Sequence, residues 1–230
     1  MDSQAAGSLT RPDTGSVEAV VFDYGGVLTT PVGDSLRAWM DRDRIDPDSF
    51  SRVLKSWMSR DAPDGTPIHR LEKGHISIPE FDSLLAAELR SRDDGPVESA
   101  GLLAGMFAEM RLDSEMFALV ADLRALGVRV ALLSNSWGNT YPRAQIDALF
   151  SPVVISGEIG MRKPDRDAFE HVLNLLELPS EKVAFVDDAD VNTVAASQFG
   201  LRAVHHRDVE STRAALSQWI DGLVGEQGLK

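Results

Sequence analysis

Five short apolar runs recur along this chain, at 17–23, 128–133, 153–156, 183–186 and 202–205, and helical patterns fill the stretches between them. Val20, Val21 and Phe22 are β-branched or aromatic, and such residues suit a strand buried on both faces. Strands alternating with helices imply a parallel sheet clothed on both sides, a Rossmann-like three-layer α/β/α core. The intervening helices are expected at 114–126, 139–148, 165–177, 190–199 and 210–224. Gly127 and Gly200 are natural stops for the first and fourth of these.

One stretch breaks the alternation. Between 31 and 112 the pattern is helical throughout, with helices expected at 35–43, 48–60, 79–90 and 96–110. Asp48 and Ser77 are expected N-caps, and Asp93-Asp94-Gly95-Pro96 marks a turn. The division that follows is an α/β core at 17–30 and 113–230, with an all-helical cap at 31–112 inserted after the first strand. Residues 1–16 are small, polar and contain Pro and Gly, as expected of a disordered tail.

Composition narrows the partners. The 230 residues are 43% hydrophobic, enough for a sizeable core, and carry a net charge of −13. That charge makes nucleic acid and anionic membrane surfaces poor partners. There is no cysteine, which excludes disulfides and thiol chemistry. No apolar run approaches the roughly 20 residues of a membrane helix. The opening residues lack the basic and apolar segments of a secretory signal, so a cytoplasmic location is expected. Oligomeric state is not legible.

The strands of a parallel sheet present their carboxyl ends on one side, where such folds bind ligands. Three of the runs end in polar residues: Asp23, Ser134-Asn135 and Asp187-Asp188. Lys163-Pro164 falls in the connection after a further run, 153–156, just before a helix. Gly25 and Gly26 lack a Cβ, so the backbone after Asp23 can turn sharply and approach an anion. Taken singly, Asp23 could start a turn, Ser134-Asn135 could cap a helix and Lys163 could be solvated surface. Together they supply a nucleophile, carboxylates for a cation, and donors for phosphoryl oxygens.

In that order, Phe22-Asp23-Tyr24-Gly25-Gly26-Val27-Leu28, Leu133-Ser134-Asn135, Lys163-Pro164 and Val186-Asp187-Asp188 resemble the four motifs of the haloacid dehalogenase-like superfamily. Ser134-Asn135-Ser136-Trp137, Gly160-Met161-Arg162-Lys163-Pro164 and the Leu71–Ser77 segment are similar to the subgroup containing the phosphatase domain of bifunctional epoxide hydrolases. The resemblance implies an Mg²⁺-dependent hydrolase of small phosphorylated metabolites. Asp23 would be the nucleophile, forming an aspartyl-phosphate. Ser134, Asn135 and Lys163, with the Gly25-Gly26 loop, would hold the phosphoryl group. Mg²⁺ would bind Asp23, the carbonyl of Gly25 and Asp188, with Asp187 nearby or acting through water.

The chain departs from that family at Gly25, where the resemblance leads one to expect a second aspartate serving as acid and base. His69, His75 and Asp34 are candidate replacements; otherwise proton transfer falls to the substrate or a water, favouring acidic leaving groups. Two other readings follow: a cofactor-free dehalogenase, or a catalytically impaired binding protein of the same fold. His171, His205 and His206 are expected to serve surface or packing roles. Trp39 and Trp57 suit core packing better than a pocket. Trp137 follows the second motif closely enough to border a site.

Overall fold

All five apolar runs form strands of one parallel sheet in the computed structural model, which describes residues 16–58, 62, 65–138 and 141–223. They are β1 (Ala19–Phe22), β2 (Arg129–Ser134), β3 (Val153–Ile155), β4 (Val183–Asp187) and β5 (Arg202–His205), in the spatial order β3-β2-β1-β4-β5. This order sets β1 at the centre, between the two other strands whose ends carry chemistry. Phe22 pairs with Leu132 on one side and Val186 on the other. The next residue, Asp23, is fixed by its N–H, which donates to the Val186 carbonyl at 2.9 Å. Asp23, Ser134 and Asp187 therefore meet at one edge through strand register alone.

The helical insertion comprises α1 (Val32–Arg42), α2 (Pro47–Met58), α3 (Pro67–Glu72), α4 (Ile78–Glu88) and α5 (Leu102–Met106). Ser77 caps α4 as expected, accepting from the Glu80 N–H. The cap of α2 is Asp46 rather than Asp48: its carboxylate accepts from the Ser49 N–H at 2.9 Å, because the helix begins at Pro47. The helix expected at 96–110 shrinks to α5, since Gly101 takes φ +76° directly before it and the chain enters the helix late. The short α3 was not anticipated. Its signals are the Thr66 hydroxyl, which accepts from the His69 N–H, and Pro67 in the first turn.

The core helices are α6 (Ser114–Ala125), α7 (Arg143–Leu149), α8 (Ser156–Ile159), α9 (Arg166–Leu176), α10 (Asp190–Gln198) and α11 (Val209–Leu216). Side chains of a strand alternate between faces. Val20, Phe22, Val130, Leu132 and Val186 accordingly pack with Met116, Leu119, Ile146 and Leu216 of α6, α7 and α11. Ala19, Val21, Leu133 and Phe185 pack with Phe169, Val172 and Ala196 of α9 and α10. The α/β/α layering is thus the one the alternation implied. α8 is one turn beyond the expected strand at 153–156, and α11 ends earlier than expected because the chain closes into turns at Ser217 and Trp219. The expected tail lies almost wholly outside the described residues, as do 59–60, 139–140 and the last residues of the chain.

The insertion has an apolar cluster of its own, including Trp39, Phe50, Leu71, Phe81 and Met106. It joins the core through two segments lying side by side. The Thr30 N–H donates to the Arg111 carbonyl at 2.8 Å and the Asp113 N–H to the Leu28 carbonyl at 3.0 Å.

Candidate active site

At the carboxyl edge of the sheet, the Lys163 ammonium stands between two carboxylates, 2.7 Å from Asp23 Oδ1 and 2.6 Å from Asp187 Oδ2. Lys163 is 1% exposed, so its charge is acceptable only because both partners are in contact. Its backbone is clamped as well. The Asn135 side chain donates to the Lys163 carbonyl at 2.9 Å and accepts from the Lys163 N–H at 2.8 Å. Ser134 is buried at the end of β2, and the Tyr141 hydroxyl donates to its Oγ at 2.7 Å.

The two carboxylates of β4 differ in what they have left to offer. Asp187 is fully buried, and its oxygens accept from Lys163, from the Ala189 N–H at 2.9 Å and from the Asn192 amide at 3.0 and 3.1 Å. Asp188 is exposed toward a cavity and leans over Gly26. A Cβ on Gly26 would come 2.3 Å from Asp188 Oδ2, and the residue sits at φ +76°, so glycine is required there twice over. The Gly26 N–H donates to Thr29 Oγ1, which differs from the expected phosphate contact. Gly25 does line the cavity, and Val32 of α1 stands beside it: a Cβ there would lie 3.5 Å from Val32 Cγ2.

Asp23, Asp187 and Asp188 each present an oxygen within 4.8 Å of the others. Three carboxylates against one ammonium leave an excess of negative charge. Burial first, then Asp187 and Asp188, push the Asp23 carboxyl up to about 7 against the pull of Lys163. Desolvation at the cavity wall and neighbouring Asp187 also raise Asp188. Burial works against the Lys163 ammonium, but Asp187 and Asp23 outweigh it and raise that group. All the free ligand atoms are oxygens, so the donor set suits a hard divalent cation such as Mg²⁺, which would relieve this repulsion.

Above this edge lies a cavity of about 480 Å³, walled by the core on one side and by α1, α2 and α3 on the other. A clasp that sequence reasoning missed closes one flank. Glu72, buried at the end of α3, accepts from Trp137 Nε1 at 2.7 Å and pairs with Arg162. The Glu72 carbonyl also accepts from the Ser156 hydroxyl. Burial pushes the Glu72 carboxyl up, and Arg162 and Trp137 oppose that. A signal existed: Ile68, Leu71 and Glu72 form the buried face of α3, which places a charge where an apolar residue is expected.

Among the expected site residues, the edge brings together Asp23, Gly25, Ser134, Asn135, Lys163, Asp187 and Asp188, with Gly26 supporting Asp188 from behind. Trp137 borders the cavity as anticipated, whereas Trp39 and Trp57 belong to the apolar cluster of the insertion. His69, His75 and Asp34 are not on the described cavity wall, and Asp34 pairs with Arg37 at the surface. His206 is buried with its Nδ1 2.8 Å from the Thr212 hydroxyl, and His205 pairs with Asp190, in keeping with packing and surface roles.

Known proteins share the sequence pattern and the fold. Residues 17–200 match the model of the haloacid dehalogenase-like hydrolases. The sesquiterpene phosphatase astK of Aspergillus oryzae is 28% identical over 88% of this chain and 96% of its own length. Bifunctional epoxide hydrolase 2 of Sus scrofa is 22% identical over 88% of this chain, which spans only 39% of that protein. A haloacid dehalogenase-family enzyme of Bacteroides thetaiotaomicron, solved with magnesium and inorganic phosphate, superposes with a TM-score of 0.61 at 17% identity, over 83% of this chain and 94% of that one. No helix among the described residues is long and apolar enough to cross a membrane.

Proposed function

The chain belongs to the haloacid dehalogenase-like hydrolase family, and on that footing we propose that it is an Mg²⁺-dependent phosphatase of small phosphate monoesters. The observation that carries this reading is the cluster of Asp23, Asp187, Asp188 and Lys163, which brings a nucleophile, carboxylates for a cation and a phosphate counter-charge together at one sheet edge. The phosphate-releasing relative astK and the magnesium–phosphate complex of the Bacteroides protein support it.

Asp23 attacks phosphorus, the ester P–O bond breaks, and the phosphoryl group passes to the carboxylate as an aspartyl-phosphate. Lys163 and the Ser134 hydroxyl hold the phosphoryl oxygens, with the Asn135 N–H beside them. The Asn135 side chain keeps Lys163 in place. Asp23, Asp188 and the Gly25 carbonyl would hold Mg²⁺; Asp187, already saturated by protein donors, aims the Lys163 ammonium instead. When bound, Mg²⁺ would neutralise the attacking carboxylate and the phosphoryl oxygens. Water then attacks the phosphorus, restoring the Asp23 carboxylate and releasing phosphate.

With glycine at position 25 and Val32 over it, no carboxylic acid extends from that residue to protonate the leaving oxygen. General acid catalysis is worth about 10²–10⁴-fold. Aryl phosphates, whose leaving groups need no proton, therefore turn over much faster than alkyl phosphates. The test is a phosphate-ester panel with Mg²⁺, with chelator, and with Asp23→Asn. Mg²⁺-dependent release that vanishes in Asp23→Asn is the expected result. Halide release that persists in chelator would instead favour the dehalogenase reading, and metal-dependent thermal stabilisation without turnover would favour a binding protein.

A further inference from the structure

We infer that the ester's alcohol is an apolar chain or ring system lying along α2, so that the substrate is an amphiphile with one phosphate head. This rests on the phosphatase reading of the site and adds the class of alcohol. Phe50, Leu54 and Met58 line the cavity at i, i+4 and i+8, one stripe down a single face of α2. At 1.5 Å rise per residue the stripe is about 12 Å long. Phe50 is 4% exposed and Met58 49%, so the stripe runs from the interior to the mouth. Val32 and Leu36 of α1 complete the wall beside it, continuous with Gly25 and the phosphate end.

The residues of α1 and α2 on the described wall (Val32, Gly33, Leu36, Phe50, Leu54 and Met58) carry no polar side chain for a polar alcohol, and several polar groups elsewhere on it are already engaged. Glu72 is taken by Arg162 and Trp137, Asn192 by Asp187, and the Tyr141 hydroxyl by Ser134. Asp23, Asp188, Ser134, Asn135 and Lys163 belong to the phosphate and its cation. A sugar hydroxyl or an amino-acid head entering the α2 side would give up water without gaining a partner, a loss of about tenfold each. A buried methylene has the opposite effect, about fourfold in favour.

The experiment is a pair of homologous series on the intact protein with Mg²⁺. In the first, n-butyl to n-octyl phosphate and glycerol phosphate are compared by kcat/KM. In the second, the non-hydrolysable n-butyl- to n-octylphosphonates are compared by calorimetric Kd, which requires no turnover. Both should improve on the order of a hundredfold from butyl to octyl, with glycerol phosphate no better than butyl. Leu54→Asn should flatten the octyl-to-butyl ratio in both. Phosphonates that tighten with chain length in a protein that turns over no ester would uphold the apolar subsite and overturn the phosphatase. Ester turnover with a flat dependence on chain length, or glycerol phosphate matching octyl phosphate, would overturn the apolar alcohol and keep the phosphatase.

Discussion

The two ends of the cavity are built by different physics. The sheet edge is polar, crowded with charge and fixed by strand register: Asp23, Ser134 and Asp187 cannot move without moving β1, β2 and β4. The opposite wall is apolar and made of helix faces, Val32 and Leu36 on α1 and Phe50 and Leu54 on α2. On the proposed reading, the first end would set what bond is broken, because charge positions are fixed before substrate arrives. The second would set what is attached to the phosphate, through area excluded from water. Chemistry and specificity are therefore separable here, and substitutions in one end should leave the signature of the other intact.

The harshest way to break that separation is Lys163→Met at the sheet edge. It leaves Asp23 and Asp187 buried without a counter-charge, so kcat/KM should fall about 10²–10³-fold and stability by about 3–5 kcal/mol. Mg²⁺ should recover more Tm in this variant than in the parent, since the cation then relieves the greater repulsion. Equal recovery in both would mean that Lys163 does not share the neutralisation of Asp23.

A gain of function comes next. A Cβ at Gly25 meets Val32 Cγ2 at 3.5 Å, an ordinary contact, so Gly25→Asp starts without a clash at its Cβ. It should raise alkyl phosphate turnover by about tenfold or more while aryl phosphates change little. A uniform change across leaving groups would contradict the role given to Gly25.

The smallest effect on turnover is expected at the clasp between the core and the helical insertion, where the change is one of stability. Arg162→Met removes the counter-charge of Glu72, whose folded pKa burial already lifts above the ordinary 4.5. At low pH Glu72 is protonated in both folded and unfolded states and the variant differs least from the parent. As pH rises through the carboxylate range the unfolded chain releases its proton first, so the variant loses stability progressively, by about 3 kcal/mol once the carboxylate is charged. Denaturant midpoints at several pH values check this. A difference constant with pH would place the Glu72–Arg162 pair outside the clasp's energetics.

The two ends also differ in how far the sequence reveals them. The strand ends were legible because β period and parallel topology gather Asp23, Ser134 and Asp187 without knowledge of any side-chain rotamer. Even Lys163 follows, since its place before α9 is a connection at the same edge. Glu72 stands out in the sequence only as a charge on the apolar face of α3, and its role was not legible: that depends on α3 docking against Ser156 and Arg162, residues more than 80 positions away in the chain. The apolar stripe on α2 was equally hidden. Phe50, Leu54 and Met58 show helical spacing, but spacing cannot distinguish the face toward the cap's own cluster from the face toward a cavity. The Asp187–Asp188 pair shows the same limit at finer scale, since only the bonds from Asn192 and Ala189 reveal which carboxylate stays free.

The central claim is that Asp23 carries the phosphoryl group. Rapid quenching of the Mg²⁺-loaded protein during turnover of p-nitrophenyl phosphate, followed by peptide mapping, tests it directly. A phosphoryl adduct on Asp23 that forms and decays at rates matching kcat is the predicted result. Turnover with no adduct on Asp23, or undiminished turnover by Asp23→Asn, would contradict it.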